Sequence, residues 1–218
     1  MTRKEIRITG FGGQGVVLCG HIIGHAYSID AGNEATMVQS FGPEARGSAC
    51  STTLVLSETE VLYPYLEGLD ILVAMSSDGY EKFKDDINDG GILIYEKDLV
   101  KPTEKKGQAA YGVPSTRIAE GIGRVIVQNI VLLGFFAATT AFITKDEWET
   151  AVKDSVPAGT EELNLMAFHA GWDHFDENYG EGKTAKEEVK KKKEKASEEK
   201  AETGAAEKVA EVAAAETE

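Results

Sequence analysis

Apolar positions along the chain switch between two periods. "EIRITGF" at residues 5–11 alternates and reads as a strand. The next fourteen residues, "VVLCGHIIGHAYSI", put Val16, Gly20, Ile23 and Tyr27 on one helical face, with Gly20 and Gly24 small enough to let that face approach a sheet. "EATMVQ" (34–39) and the Thr- and Val-rich "ACSTTLVLS" (49–57) read as two further strands. "LDILVAMS" (69–76) and "GGILIYE" (90–96) are continuous apolar runs, the pattern of strands buried on both faces of a parallel sheet. "AAYGVP" is a short sixth strand stopped by Pro114. Between and after them come helical segments: "DGYEKFKDDIN" with Ser76 placed to cap it, "STRIAEGI", the apolar stretch 125–143, "EWETAVKDSV" preceded by a Thr144–Glu147 capping box, and the amphipathic "TEELNLMAFHAGWDHF". Strands alternating with helices predict an α/β fold: an open, mostly parallel, Rossmann-like sheet with helices on both faces.

Two segments break this pattern. "VIVQNIVLLGFFAATTAFI", residues 125–143, has the length of a membrane span. Gln128 and Asn129 interrupt it and Arg124 precedes it, so the expectation is a helix apolar on all sides because it is buried in a core or a subunit interface. From about residue 180 aromatic residues, Leu and Ile disappear and Lys, Glu and Ala take over. Such a composition cannot bury enough apolar surface to offset its ordering entropy. The reading is one domain over 1–178 and a low-complexity tail, disordered or helical, over 179–218.

Composition and charge then narrow the function. A net charge of −14 argues against nucleic acid, since nothing here would neutralise phosphates in bulk. The "KKKK" run at 190–193 lies among glutamates that cancel it, so neither nucleic acid nor a membrane is expected as its partner. Cys19 and Cys50 stand alone and build neither a zinc nor an iron–sulfur site; buried free thiols are expected. No apolar run precedes the first strand, which points to the cytoplasm. His21 and His25 share a helix face at a spacing that suits a metal, but no third ligand is suggested, and they are expected to be exposed or partly buried helix residues.

The candidate chemistry lies in two loops. "GFGGQG", residues 10–15, sits between the first strand and the first helix. That is the geometry that aims backbone N–H groups and a helix N-terminus at an anion. Gly10, Gly12 and Gly15 match the dinucleotide fingerprint, yet the acidic residue that would bind the ribose is missing: Gln39 and Ser40 occupy the tip of strand two, and Asp30 falls in the turn before it. NAD or FAD on an autonomous dehydrogenase, tight strand–helix packing alone, and a phosphate group or partner chain at the turn all remain open. The second loop is "SFGPEARGSAC", residues 40–50, with Gly42, Pro43, Glu44 and Arg46. In an open sheet it would sit beside the first at the carboxyl ends of the strands. Arg46 offers a fork for phosphate or carboxylate, or simply pairs with Glu44.

"GFGGQG" followed by "SFGPEARGS" resembles the gamma subunit, or gamma domain, of the 2-oxoacid:ferredoxin oxidoreductases. "LDILVA" at 69–74, Asn129 in "QNIVLLG" and "VPAGTEELNLMAF" at 156–168 fit the same pattern, which covers about residues 4–172. Ser48 departs from it, where the family usually has a second glycine. The resemblance implies a non-catalytic subunit, most like the 2-oxoglutarate type, although pyruvate and branched-chain 2-oxoacids are not excluded. It implies alpha and beta partners, a ferredoxin-like delta subunit in some complexes, and ferredoxin as electron acceptor. Thiamine diphosphate, Mg and iron–sulfur clusters would sit on those partners, because this chain lacks the G-D-G thiamine motif and any four-cysteine spacing. It also implies that the gamma domain helps hold coenzyme A. The residues it marks are Gly10, Gly12, Gly13, Gln14, Gly15, Ser40, Gly42, Pro43, Glu44 and Arg46, with no catalytic and no metal-binding residue. A free-standing nucleotide-binding regulatory module is the remaining alternative.

Overall fold

The computed structural model describes residues 3–44 and 47–180. Six strands form one sheet in the order β2-β3-β1-β4-β5-β6. They are β1 (Lys4–Phe11), β2 (Glu34–Phe41), β3 (Ala49–Ser57), β4 (Ile71–Ala74), β5 (Ile92–Glu96) and β6 (Ala109–Val113). β1, β4, β5 and β6 are parallel neighbours. β3 runs antiparallel to both β1 and β2, so it alone is reversed. The reason is the link from β2 to β3, residues 42–48, which is long enough for a hairpin and too short for a crossover.

The two faces are covered unequally. Ile6, Ile8, Ile71, Val73 and Ile94 point into the main core, shared with α1 (Val16–His25), α3 (Ser115–Ile122), α4 (Gln128–Thr140), α5 (Lys145–Ser155) and α6 (Glu161–Tyr179). The alternate residues Leu72, Ala74 and Leu93 point the other way, into a small cluster with Tyr80 of α2 (Ser77–Phe83). Gly20 of α1 allows the predicted close approach, since a Cβ there would lie 2.3 Å from Thr52 Cγ2; at Gly24 the corresponding contact with Leu54 is an ordinary 3.6 Å.

The apolar segment is a core helix. Ten of the thirteen residues of α4 are buried, on every side of the helix. The helix is shorter than its apolar run. It opens with a 3-10 turn at Val125–Val127. It closes when the Thr139 and Thr140 hydroxyls donate back to the carbonyls of Phe135 and Phe136 and Ala141 turns left-handed, with φ 48°. Among the described residues no helix is long and apolar enough to cross a membrane.

Local signals set the other helix starts. Ser76 Oγ accepts from Gly79 N at 3.2 Å and caps α2. At α5, Glu147 Oε2 accepts from Thr144 N at 2.7 Å while Thr144 Oγ1 accepts from Glu147 N at 3.4 Å, the capping box read from the sequence. Thr144→Ala removes half of this exchange. The expected loss is about 1 kcal/mol, a fall in melting temperature of roughly 2–4 °C for a domain of this size. An unchanged melting curve would show that the box contributes nothing. The tail reading for 179–218 lies outside the described residues from Glu181 onward.

Candidate functional site

The chain leaves β1 into α1 on one face of the sheet and leaves β4 into α2 on the other. This divergence opens the carboxyl ends of the two strands, the place where open α/β sheets bind their ligands. The glycine turn fills the β1 side. Gly15 is the N-cap of α1 with φ 78°, and no side chain caps the helix. A Cβ on Gly15 would lie 2.4 Å from Asn129 Nδ2, so only glycine lets α1 begin against the start of α4. Gly13, with φ 100°, is exposed and has open space where its Cβ would be.

Gln14 is engaged within the chain. Its Oε1 accepts from Phe11 N at 2.7 Å and its Nε2 donates to Met75 O at 3.3 Å, tying the glycine turn to the end of β4. The second loop folds against the first. Gly12 N donates to Ser48 O at 2.9 Å, and Gly47 N donates to Gly12 O at 3.2 Å. Gly42 N donates to Ala49 O at 2.9 Å, and the Ser48 hydroxyl donates to Glu44 O. Pro43 and Glu44 are exposed. Arg46 lies outside the described residues.

On the α2 side a cavity of about 200 Å³ runs between the ends of β1, β2 and β3 and the first turns of α2. Of the residues singled out from sequence, Gly10, Ser40 and Gly42 line it, whereas Gly12, Gly13, Gln14 and Gly15 form the adjoining turn. Thr9, Ser51, Asp78 and Lys82 add polar groups that no motif announced, beside the helix cap Ser76. They sit on β1, β3 and α2, and strand register together with the seating of α2 brings them together. Further down the same face the Arg7 guanidinium stacks on Phe83, 4.0 Å from the ring centroid, with its Nε buried and unbonded; burial lowers its pKa.

This geometry bears on the dinucleotide alternative. In that fold strand two pairs directly with strand one and presents its ribose-binding acid beside the glycines. Here β3 lies between β2 and β1, so the tip of β2 stands one strand, about 5 Å, further out. Both cysteines are free and buried. Cys19 Sγ donates to Asn129 O at 3.3 Å, and burial pushes its thiol up to about 12, far from a reactive thiolate. Among the described residues no group of three or more His, Cys, Asp or Glu side chains is placed to hold a metal ion.

A family model described as pyruvate ferredoxin/flavodoxin oxidoreductase matches residues 5–174, which include both loops and all six strands. The chain belongs to this family. It is 46% identical over 175 residues to the 2-oxoglutarate synthase subunit KorC of Methanocaldococcus jannaschii, a match covering 78% of this chain and 93% of that one. The gamma subunit of a keto/oxoacid ferredoxin oxidoreductase from Geobacter sulfurreducens superposes with a TM-score of 0.69 at 35% identity, over 78% of this chain and 96% of that one. A 2-oxoglutarate:ferredoxin oxidoreductase from Magnetococcus marinus superposes with a TM-score of 0.71 over 78% of this chain and 30% of that one; at 24% identity the likeness concerns the fold. The relatives are subunits of oxidoreductase complexes, and this chain is a gamma-type subunit, most like those of 2-oxoglutarate synthases. As a gamma subunit it is one part of a multi-subunit enzyme.

Proposed function

We propose that the chain serves a 2-oxoglutarate:ferredoxin oxidoreductase by holding part of coenzyme A, while alpha and beta subunits carry the chemistry. The reaction converts 2-oxoacid, coenzyme A and oxidised ferredoxin to acyl-coenzyme A, carbon dioxide and reduced ferredoxin. Thiamine diphosphate with Mg and the iron–sulfur clusters belong to the partners, including a ferredoxin-like delta subunit where one exists. The Magnetococcus enzyme was solved with 2-oxoglutarate, coenzyme A and succinyl-CoA bound, which makes these the ligands to test.

The observation that carries this reading is the open turn at Gly13, over the uncapped N-terminus of α1 and hydrogen-bonded to the loop whose sequence includes Arg46. Backbone N–H groups at such an end favour an anion, and the phosphates of coenzyme A supply several. Gly12, Gly13 and Gly15 let them approach the main chain. Gln14 fixes the turn through Phe11 and Met75. Arg46 supplies positive charge on the second loop. The cavity lined by Ser40, Gly42 and Lys82 has room for one further part of the molecule. Phe41, 65% exposed at the end of β2, and Ile126, 81% exposed before α4, offer apolar contacts for the thiamine-bearing partner.

Arg46→Ala in the assembled complex tests this reading. A charge-assisted contact contributes about 1.5–3 kcal/mol, so coenzyme A should bind about ten- to a hundredfold more weakly. Decarboxylation of the 2-oxoacid in the absence of coenzyme A should stay near normal. If the variant assembles poorly while coenzyme A affinity in the complex that forms is unchanged, the loop docks a partner and the binding reading fails.

A further inference from the structure

A second cavity, of about 240 Å³, opens between α1 and the edge strand β2, and His21, His25, Ser28 and Met37 line it. Three features meet beside it. His21 and His25 are one helical turn apart, with ring centroids separated by 6.2 Å. After His25 the helix widens to a π-turn over Ala26–Asp30, in which Ala31 N donates to Ala26 O at 3.0 Å. An α-helix would carry Asp30 about 140° around the axis from His25. The wider turn instead brings Asp30 Oδ2 to 3.1 Å from His25 Nδ1. With Nδ1–H donating to the carboxylate, the lone pair of Nε2 is left to ligate, the arrangement in which a carboxylate orients a metal-binding imidazole. Single π-turns of this kind concentrate at functional sites.

We propose that His21 and His25 form a two-histidine site for a divalent transition cation of the zinc, nickel or copper class, with Asp30 as the residue that orients His25. Imidazole nitrogen selects this class over magnesium and calcium, which take oxygen ligands. Metal–nitrogen distances of about 2.0–2.1 Å put two bridged ring centres about 5 Å apart in tetrahedral geometry, so the rings need to close by about 1 Å. His21 is exposed and the His25 side chain retains 23% of its accessible surface, so an ion can reach both. Water in the cavity completes the coordination. The net charge of −14 raises the local concentration of any cation.

Calorimetric titration of the full chain with Zn²⁺, and separately with Ni²⁺ and Mg²⁺, tests the site. The variants are His21→Asn, His25→Asn and Asp30→Asn, each checked for an unchanged far-ultraviolet circular dichroism spectrum. The expected result is one Zn²⁺ or Ni²⁺ ion per chain, lost in both histidine variants, weakened about 10- to 100-fold in Asp30→Asn, and no comparable isotherm with Mg²⁺. The asparagine at position 30 keeps an oxygen for the ring nitrogen, so a loss there reports the carboxylate's charge rather than a broken turn. A wild-type isotherm that both histidine variants reproduce, or one that does not saturate below millimolar Zn²⁺ or Ni²⁺, overturns the proposal.

Discussion

Phe136→Asp is expected to leave no folded chain. Phe136 is 1% exposed in the middle of α4, with its ring edge-on to Trp148 at 6.1 Å and to Phe142 at 6.1 Å. Removing a buried aromatic side chain costs about 3–5 kcal/mol. Placing a carboxylate there adds several kcal/mol more, because no cation stands among these apolar neighbours to pair with it. The sum reaches the whole stability of an ordinary domain, about 5–15 kcal/mol. The measurement is soluble yield together with far-ultraviolet circular dichroism. A soluble, helical Phe136→Asp chain would show that α4 is not the core helix described above. The covering of this helix by the chain's own sheet and helices also answers the question its composition posed. Its length suited a membrane and its hydropathy suited an interface, but α6, α3 and α1, with Trp148 of α5 against Phe136, bury it within the domain.

Much of this fold is readable in one dimension because its signals are local. The six strands follow from short alternating or continuous apolar runs, and the starts of α2 and α5 from Ser76 and from the Thr144–Glu147 pair. The end of α4 was less accessible. Thr139 and Thr140 look compatible with a helix, and only their back-bonds to Phe135 and Phe136 and the left-handed Ala141 reveal where it stops. Periodicity is also silent on strand direction. The reversal of β3 depends on the length of the link before it, and it places β3 where a dinucleotide fold would have β2.

The site divides in the same way. Glycines that a turn requires are conspicuous, so the turn at Gly12–Gly15 and its neighbour at Gly42–Ser48 could be marked from sequence, and the structure hydrogen-bonds them together. Thr9, Ser51 and Lys82 could not be marked. Each is an ordinary residue of its own element, and only the pairing of Thr9 with Ser51 across β1 and β3 and the seating of α2 gather them around one cavity. Gln14 reads, as a polar residue among glycines, as a ligand contact; that its amide also joins the turn to Met75 could not be read from the sequence.

Gly171→Ala is expected to destabilise the chain strongly although it improves the helix. In a helix interior alanine is favoured over glycine by about 1 kcal/mol, so propensity alone predicts a gain. The crossing of α4 and α6 decides otherwise. A Cβ on Gly171 would stand 1.8 Å from Val131 O and 2.9 Å from Phe135 N, and one on Gly134 would stand 1.9 Å from Phe168 O. These obstacles are main-chain atoms, which no rotamer change can move. The helices would have to separate by more than about 1 Å, a larger insult than the overpacking that usually costs about 1–3 kcal/mol. Separation would loosen Phe135 from Phe175 and shift the start of α4, where Asn129 stands behind Gly15. The damage would therefore extend from the core to the glycine turn. Urea unfolding gives the readout, as a fall in midpoint equivalent to about 3 kcal/mol or more. A rise in the midpoint, by the 1 kcal/mol that propensity supplies, would refute the close crossing and with it the route from α6 through α4 to the turn.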